Sequence, residues 1–398
     1  MPASESLHHG SRAGRTGAAV TAVVAVAVAV AVIALVLAPA VRTTPLPPLP
    51  AQVTDASGAL GPVFDPGVIL SGGSNSTTTF LGGIGDYSQP TGFSLPVFAA
   101  LTRGPGGPTV ENETALVESY FFEGGVYAIA WNGSSWLIGG QSSPGGVDAG
   151  ALITIHGNTI SNLSGTVATY FAGGGVWSVG WNGTAWLIGG NSSTSATLLA
   201  WDGGAFTDLS GHVVGHGPEP WVQMLAWNGA EWLVGGHGVL GLWTGGNYAD
   251  LLPTTPFENG GAFSSAWNGT AWLVGGSANE LVSVRGEVTT DATSLPPDFD
   301  RLALMIVAAG GGWIVAGKGG AQGNEFTPEL AYWTGAPSSS PVDESSDLPA
   351  SFDGGDVQGG VPAPEFGLGT VLMVGVGSYD AATGHGVGAI AFLSPSSD

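Results

Sequence analysis

The sequence predicts an all-β fold: a propeller of seven four-stranded antiparallel blades, or six if one weak terminal copy is not a full blade, preceded by one N-terminal transmembrane helix. Three observations predict it. A ten-residue pattern recurs at blade-sized intervals, a second hairpin follows each copy, and one long uncharged run precedes them all.

The uncharged run comes first. Residues 17–41 are mostly Ala and Val and hold no charge, and about 20 apolar residues cross the hydrocarbon core as a helix. The Ala/Val alternation has the period of a strand, but a lone strand in lipid leaves its backbone unpaired, so a helix is expected. Arg12 and Arg15 precede the run and Arg42 alone follows it, which puts residues 1–16 in the cytoplasm and everything after the run outside. Ala38-Pro39-Ala40 also fits a signal-peptide cleavage site, in which case the body is secreted rather than anchored in the cell membrane. Residues 42–51 include a Pro-rich stretch, stiff and extended, and read as a stalk. Residues 52–398 are then the propeller.

The repeated pattern is Trp-Asn-Gly-x-x-Trp-Leu-Ile/Val-Gly-Gly. It is near-identical at Trp131/Trp136, Trp181/Trp186, Trp227/Trp232 and Trp267/Trp272, and degenerate around Trp313. Weaker copies start at Thr79 and Val371. Spacings of 40 to 58 residues between these markers are those of propeller blades. Each copy reads as a hairpin, since Asn-Gly suits a type I′ turn with positive φ at both central residues. With that turn at Asn182-Gly183, Trp181 faces Thr184, and Trp181 and Trp186 become diagonal neighbours on one face. That face is expected against the next blade, and the closing Gly-Gly lets backbones approach closely.

A second hairpin follows, for example across residues 198–209 and 152–163. The last unit stops without an outer strand, while residues 52–57 form a spare strand ahead of the first unit and resemble residues 206–210. The spare strand is therefore expected to complete the last blade and leave no open sheet edge.

Composition removes whole classes of function. The chain has no Cys, which excludes disulfides, a thiol nucleophile and Cys-ligated metal. Its net charge of −23 argues against nucleic acid. No nucleophile elbow, His-Glu-x-x-His or P-loop is present.

The Gly-Gly-ended strand at residues 186–190, the Trp201-Asp202 pair and the later Phe206 resemble the kelch and galactose-oxidase-like propellers. The resemblance implies architecture. The copper-radical site of galactose oxidase carries a Cys–Tyr crosslink, so that activity does not follow for a chain without Cys.

Candidate functional residues are expected on the loops between the second and third strands and between blades. Trp177, Trp221 and Trp243 lie outside the repeated Trp pair and are the candidate ligand contacts, since aromatic faces stack sugars or grip peptide side chains. His212 and His216, near Glu219 and His237, could ligate zinc, although their spacing aligns them only on a helix. Asp298 and Asp300, with Asp291, Asp343, Glu344, Asp347, Asp353 and Asp356, offer the hard oxygens that Ca²⁺ takes, and otherwise read as solvated acidic loops. No other cofactor is expected. Sequons at Asn75, Asn112, Asn162 and Asn191 are candidate glycosylation sites, whereas Asn132, Asn182 and Asn268 coincide with the hairpin turn.

The expected function is a membrane-anchored, extracytoplasmic binding module for a surface or extracellular protein or glycan, with no nucleic-acid partner and no chemistry of its own. Two alternatives stand beside it. One is a carbohydrate-active hydrolase or lyase with carboxylates at the propeller mouth; the other is a structural envelope component.

Overall fold

The computed structural model describes residues 51–398 apart from 89–92, 278, 298, 300–301, 310–311, 323–324, 336–338, 381–384 and 396–398. The expected cytoplasmic segment 1–16, the helix 17–41 and the stalk up to residue 50 lie outside the described residues. Among those described, no helix is long and apolar enough to cross a membrane.

The chain folds into seven four-stranded antiparallel sheets, which decides between seven blades and six. Strand β1 (Ala51–Asp55) precedes them. Blade 1 is β2–β5 (Gly67–Ser74, Thr78–Ser88, Phe93–Gly104, Gly107–Asn112), and blade 2 is β6–β9 (Gly125–Trp131, Trp136–Ser142, Ala149–His156, Thr159–Asn162). Blade 3 is β10–β13 (Val176–Trp181, Trp186–Asn191, Ala196–Trp201, Phe206–Asp208), and blade 4 is β14–β17 (Met224–Trp227, Trp232–Gly236, Val239–Trp243, Tyr248–Asp250). Blade 5 is β18–β21 (Ala262–Trp267, Trp272–Gly276, Glu280–Arg285, Val288–Ser294), and blade 6 is β22–β25 (Leu302–Ala309, Gly312–Gln322, Glu325–Trp333, Val342–Asp343). Blade 7 is β26–β28 (Asp356–Pro362, Val371–Asp380, His385–Pro395) with β1 as its outer strand.

Closure follows the sequence expectation. Strand β1 pairs antiparallel with β28 from Ala51↔Pro395 to Asp55↔Ala391. One buried cluster then unites Leu81, Val97 and Leu101 of blade 1 with Val361, Leu372 and Ile390 of blade 7. The other blade boundaries hold comparable clusters, as between Phe98 and Trp136, Leu137 and Trp186, and Leu187 and Trp232. Each fully buried large side chain contributes about 1.5–3 kcal/mol, so the boundaries between blades are where the ring is held.

The Asn-Gly hairpin departs from expectation in a way that explains the Trp pair. Asn182 N–H donates to the Ala185 carbonyl (3.2 Å), and Asn182 Oδ1 accepts from Thr184 N–H (2.9 Å), Ala185 N–H (2.8 Å) and the Thr184 hydroxyl (2.9 Å). Only Gly183 takes positive φ (95°). The turn is thus centred on Gly183-Thr184, one residue later than a type I′ turn on Asn-Gly, and Asn serves as a side-chain acceptor. That shift puts Trp181 directly opposite Trp186, with ring centroids 5.1 Å apart, in place of the expected diagonal.

The Trp pair also packs against the preceding blade, not the next one. Trp136 meets Phe80 of blade 1 edge-on at 4.7 Å. Trp227/Trp232 and Trp267/Trp272 repeat the directly opposite pairing with tilted rings, and Trp313 of the degenerate copy is buried between blades 5 and 6. The closing glycines behave as expected: a Cβ on Gly190 would collide with the Gly175 carbonyl, and one on Gly189 with Val222 of the next blade.

A second recurring device was not anticipated. Where the outer strand ends, an Asp or Asn pairs with the middle of the third strand and accepts the N–H two residues on, as at Asn112→Thr114, Asn162→Ser164, Asp208→Ser210 and Asp343→Ser345. The Thr114, Ser164, Ser210 or Ser345 hydroxyl then bonds both backbone groups of one residue of the third strand, for example Leu198 N–H (3.1 Å) and C=O (3.4 Å) from Ser210. Asp55 and Ser57 make the same staple onto Ile390, which is how the spare strand fits.

The ring has two unlike faces. The hairpin face carries the Asn turns and the turns between third and fourth strands. The loop face carries the connections between blades and those between second and third strands. Strand β1 runs from the hairpin face towards the loop face, so the chain joins the ring at Ala51 on the hairpin side.

Candidate functional site

Six of the seven innermost strands share a local irregularity that builds the centre of the ring. Each carries one extra residue against its partner, and bulges of this kind re-aim a side chain. The extra residues are Leu70, Tyr127, Trp177, Phe263, Leu304 and Gln358. Gln223 holds the corresponding place in blade 4, between Val222 and Met224. All seven are buried.

Around blades 7, 1, 2, 3 and 4 the centre is apolar. Val68, Leu70, Ile84, Tyr127, Trp177 and Val376 form one cluster, with the half-buried Trp221 and Tyr379 against it. A cluster shared by five consecutive blades lies at the axis. Tyr127 stacks on Trp177 (4.5 Å, 19°), Trp177 tilts against Trp221 (5.6 Å, 51°), and Trp221 meets the His237 ring edge-on at 5.8 Å. Two polar residues hold this wall: Asn191 Oδ1 accepts Trp177 Nε1 (2.6 Å), and Tyr127 OH donates to Gln141 Oε1 (3.4 Å). Burial, and secondarily the Asp148 charge, pushes the Tyr127 phenol well above its usual range, so it stays neutral.

A polar group sits between blades 6 and 7. Lys318 of blade 6 and Asp356 of blade 7 form a buried ion pair (3.4 Å, each side chain 4% exposed). Gln358 Nε2 donates to Asp356 Oδ1 (2.6 Å), and the Lys318 ammonium lies 4.4 Å from the Phe326 ring centroid. Gln223 Nε2 and Oε1, Gln358 Oε1 and Trp221 Nε1 are buried with no hydrogen-bond partner among the described residues.

Of the three tryptophans singled out in the sequence, Trp177 and Trp221 come together in the central wall. Trp243 does not: it is buried in the core between blades 3 and 4. The two histidines have separate partners. The His212 ring lies 5.2 Å from the Trp243 ring, and His216 Nε2 bonds Asp250 Oδ2 at 2.7 Å. Asp298 and Asp300 lie outside the described residues, and among those described no three His, Asp or Glu side chains come close enough to hold a metal ion. The other late carboxylates are dispersed: Asp343 staples a strand end, Asp356 is buried in the centre, and Asp353 is exposed on the loop face.

The sequons have structural duties as well. Asn75 builds the same turn as Asn182, accepting from Thr77 and Thr78, with Ser76 at φ 73° in the place of glycine. Asn112 and Asn162 are strand-end staples, and Asn191 holds Trp177.

Sequence reasoning named Asp356 only as a loop carboxylate for Ca²⁺, and missed Tyr127 as a partner of Trp177 and the buried Gln223, Lys318 and Gln358. A usable signal existed for Tyr127 alone, which is the second residue after Gly124-Gly125 just as Trp177 is after Gly174-Gly175.

No family model matches the chain, and no curated protein matches it. Solved structures do. A chain of the mitotic checkpoint complex is 14% identical, with a TM-score of 0.53, covering 91% of this chain and 100% of that one. The WD40 β-propeller domain of Doa1 is 9% identical, with a TM-score of 0.54, covering 87% and 98%. At these identities the likeness is one of fold: a seven-bladed propeller with WD40 propellers among its neighbours.

Proposed function

We propose that the chain is a membrane-anchored, extracytoplasmic propeller that works as an interaction module and takes a protein partner on its loop face. One observation carries this reading: six of the nine large apolar side chains exposed among the described residues lie on the loop side. Val387, Leu95, Leu116, Phe122, Val147 and Val214 are exposed on the loop side, and they come from blade 7, blade 1, the blade 1–2 connection, blade 2 and the blade 3–4 connection. That is the same arc as the aromatic wall at the centre. Exposed apolar surface gathered on one side points to an interaction site, whereas the three on the hairpin side, Val288, Val342 and Leu368, lie on three different blades.

Propellers typically serve as interaction modules, which supports a binding role here without naming a partner. The kelch-like kinship of the Gly-Gly strands belongs to the same proposal. Attachment at Ala51 on the hairpin side suits an anchor behind the ring, with the loop face turned away from the bilayer. A photoreactive residue at Val147 and another at Val288, each in the full chain in its own cell, test the reading. Crosslinks to a protein at Val147 and none at Val288 are expected; equal crosslinking at both, or at neither, would overturn it.

A further inference from the structure

The charges on the loop face say what kind of segment it accepts. Asp65, Glu118, Asp148, Glu219, Glu258 and Asp353 are all exposed there, on the connections 7–1, 1–2, within blade 2, 3–4, 4–5 and 6–7. No Lys or Arg is exposed on that face among the described residues. Arg103 and Arg285 lie at the turns on the hairpin face, and Lys318 is buried against Asp356. Among the described residues, one side therefore presents carboxylates from six connections beside an apolar arc, and the other presents mixed charge.

We infer that the partner segment is cationic and apolar together: a stretch of protein with Lys or Arg facing the carboxylates and aliphatic or aromatic side chains on the arc of Leu95, Phe122 and Val147. This rests on the loop face being the binding site. The carboxylates are spread over six connections, so they act as a field that draws in positive charge and rejects acidic segments. The exposed apolar side chains supply what a field does not, namely area removed from water at about 25 cal/mol per Å². Each component leaves its own signature: the field weakens with salt over a Debye length of about 8 Å at physiological ionic strength, and the apolar contact does not.

The full chain is tested against three synthetic probes of equal length: an amphipathic Leu/Lys peptide, its Leu/Glu counterpart, and oligolysine. The expected result is that Leu/Lys binds at least about tenfold tighter than either of the others, a difference of about 1.4 kcal/mol. Phe122→Ser with Val147→Ser is expected to weaken Leu/Lys by about tenfold at all salt concentrations. Glu118→Gln with Glu219→Gln is expected to flatten its salt dependence, and the hairpin-face control Val288→Ser to change nothing. Leu/Glu binding as tightly as Leu/Lys, while still sensitive to Phe122 and Val147, would overturn the charge inference and leave the loop face as the site. Oligolysine matching Leu/Lys would overturn its apolar half. Indifference to every loop-face substitution would overturn this inference and the loop-face reading alike.

Discussion

Ser57 and Ile390 are joined twice across 333 residues of chain: the Ser57 hydroxyl donates to the Ile390 carbonyl (3.0 Å) and accepts its N–H (2.9 Å). Ser210 bonds Leu198 in the same way within blade 3, across only 12 residues. One device therefore finishes an ordinary blade and locks the ring.

Removing either hydroxyl orphans one backbone N–H, because the Ile390 and Leu198 carbonyls also accept from Ala56 N–H (3.0 Å) and Leu209 N–H (2.8 Å), and Ser57→Ala or Ser210→Ala is expected to cost about 1–2 kcal/mol in denaturant unfolding. The variants should differ in locality. Ser57→Ala should speed hydrogen exchange along β1 and β28, because it loosens the closing strand, whereas Ser210→Ala should affect blade 3 alone. Identical exchange patterns would contradict this.

Asn182 acts through its side-chain oxygen, which accepts three hydrogen bonds. Asn182→Ala is expected to destabilise by about 1–2 kcal/mol, and Asn182→Asp, which keeps the acceptor, by much less. Paired thermal melts decide it. Equal losses would mean that the amide nitrogen, not the oxygen, matters.

The Lys318–Asp356 pair is buried on both sides. Breaking it with Lys318→Met leaves an uncompensated carboxylate and is expected to cost about 3–5 kcal/mol. The double variant Lys318→Met/Asp356→Leu should regain most of that, less about 1–3 kcal/mol for the stranded Gln358 amide. A double variant no more stable than the single one would show that the charges do more than pair.

Burial first, and neighbouring Asp148 and Asp250 second, raise the phenols of Tyr127 and Tyr248 above their usual range. A raised folded value means that the folded state holds the proton more tightly. The associated stability is whole below about pH 10, the unfolded phenol value, and falls as pH rises beyond it. The urea midpoint should drop steeply between about pH 10 and 11, and Tyr127→Phe/Tyr248→Phe should flatten that drop. An equally steep fall in the double variant would place the alkaline transition elsewhere.

The seven hairpin markers, from Thr79 to Val371, were legible because Trp-Asn-Gly-x-x-Trp and its weaker copies repeat at every blade and the Gly-Gly pair excludes side chains. The closing strand was legible because Asp55 and Ser57 copy Asp208 and Ser210. The turn was misread by one residue, since Asn-Gly alone does not reveal that a side-chain oxygen will replace the backbone acceptor. Of the site, Trp177 and Trp221 stood out by falling off the repeat, but so did Trp243, which is core. Lys318 and Gln358 were hidden because they meet at Asp356 only when blades 6 and 7 pack together, a relationship no local pattern encodes.

The side on which the chain joins the ring, and the closure of the ring itself, depend on β1 completing blade 7. Because the chain has no Cys, Gln52→Cys with Ser394→Cys would supply its only two thiols, at directly paired positions. A closed ring predicts an intramolecular disulfide on mild oxidation, well within the roughly 4.4–6.8 Å Cα span that such bonds need, and a higher melting temperature for the oxidised than for the reduced form. Thiols that stay free, or that link only between molecules, would contradict it.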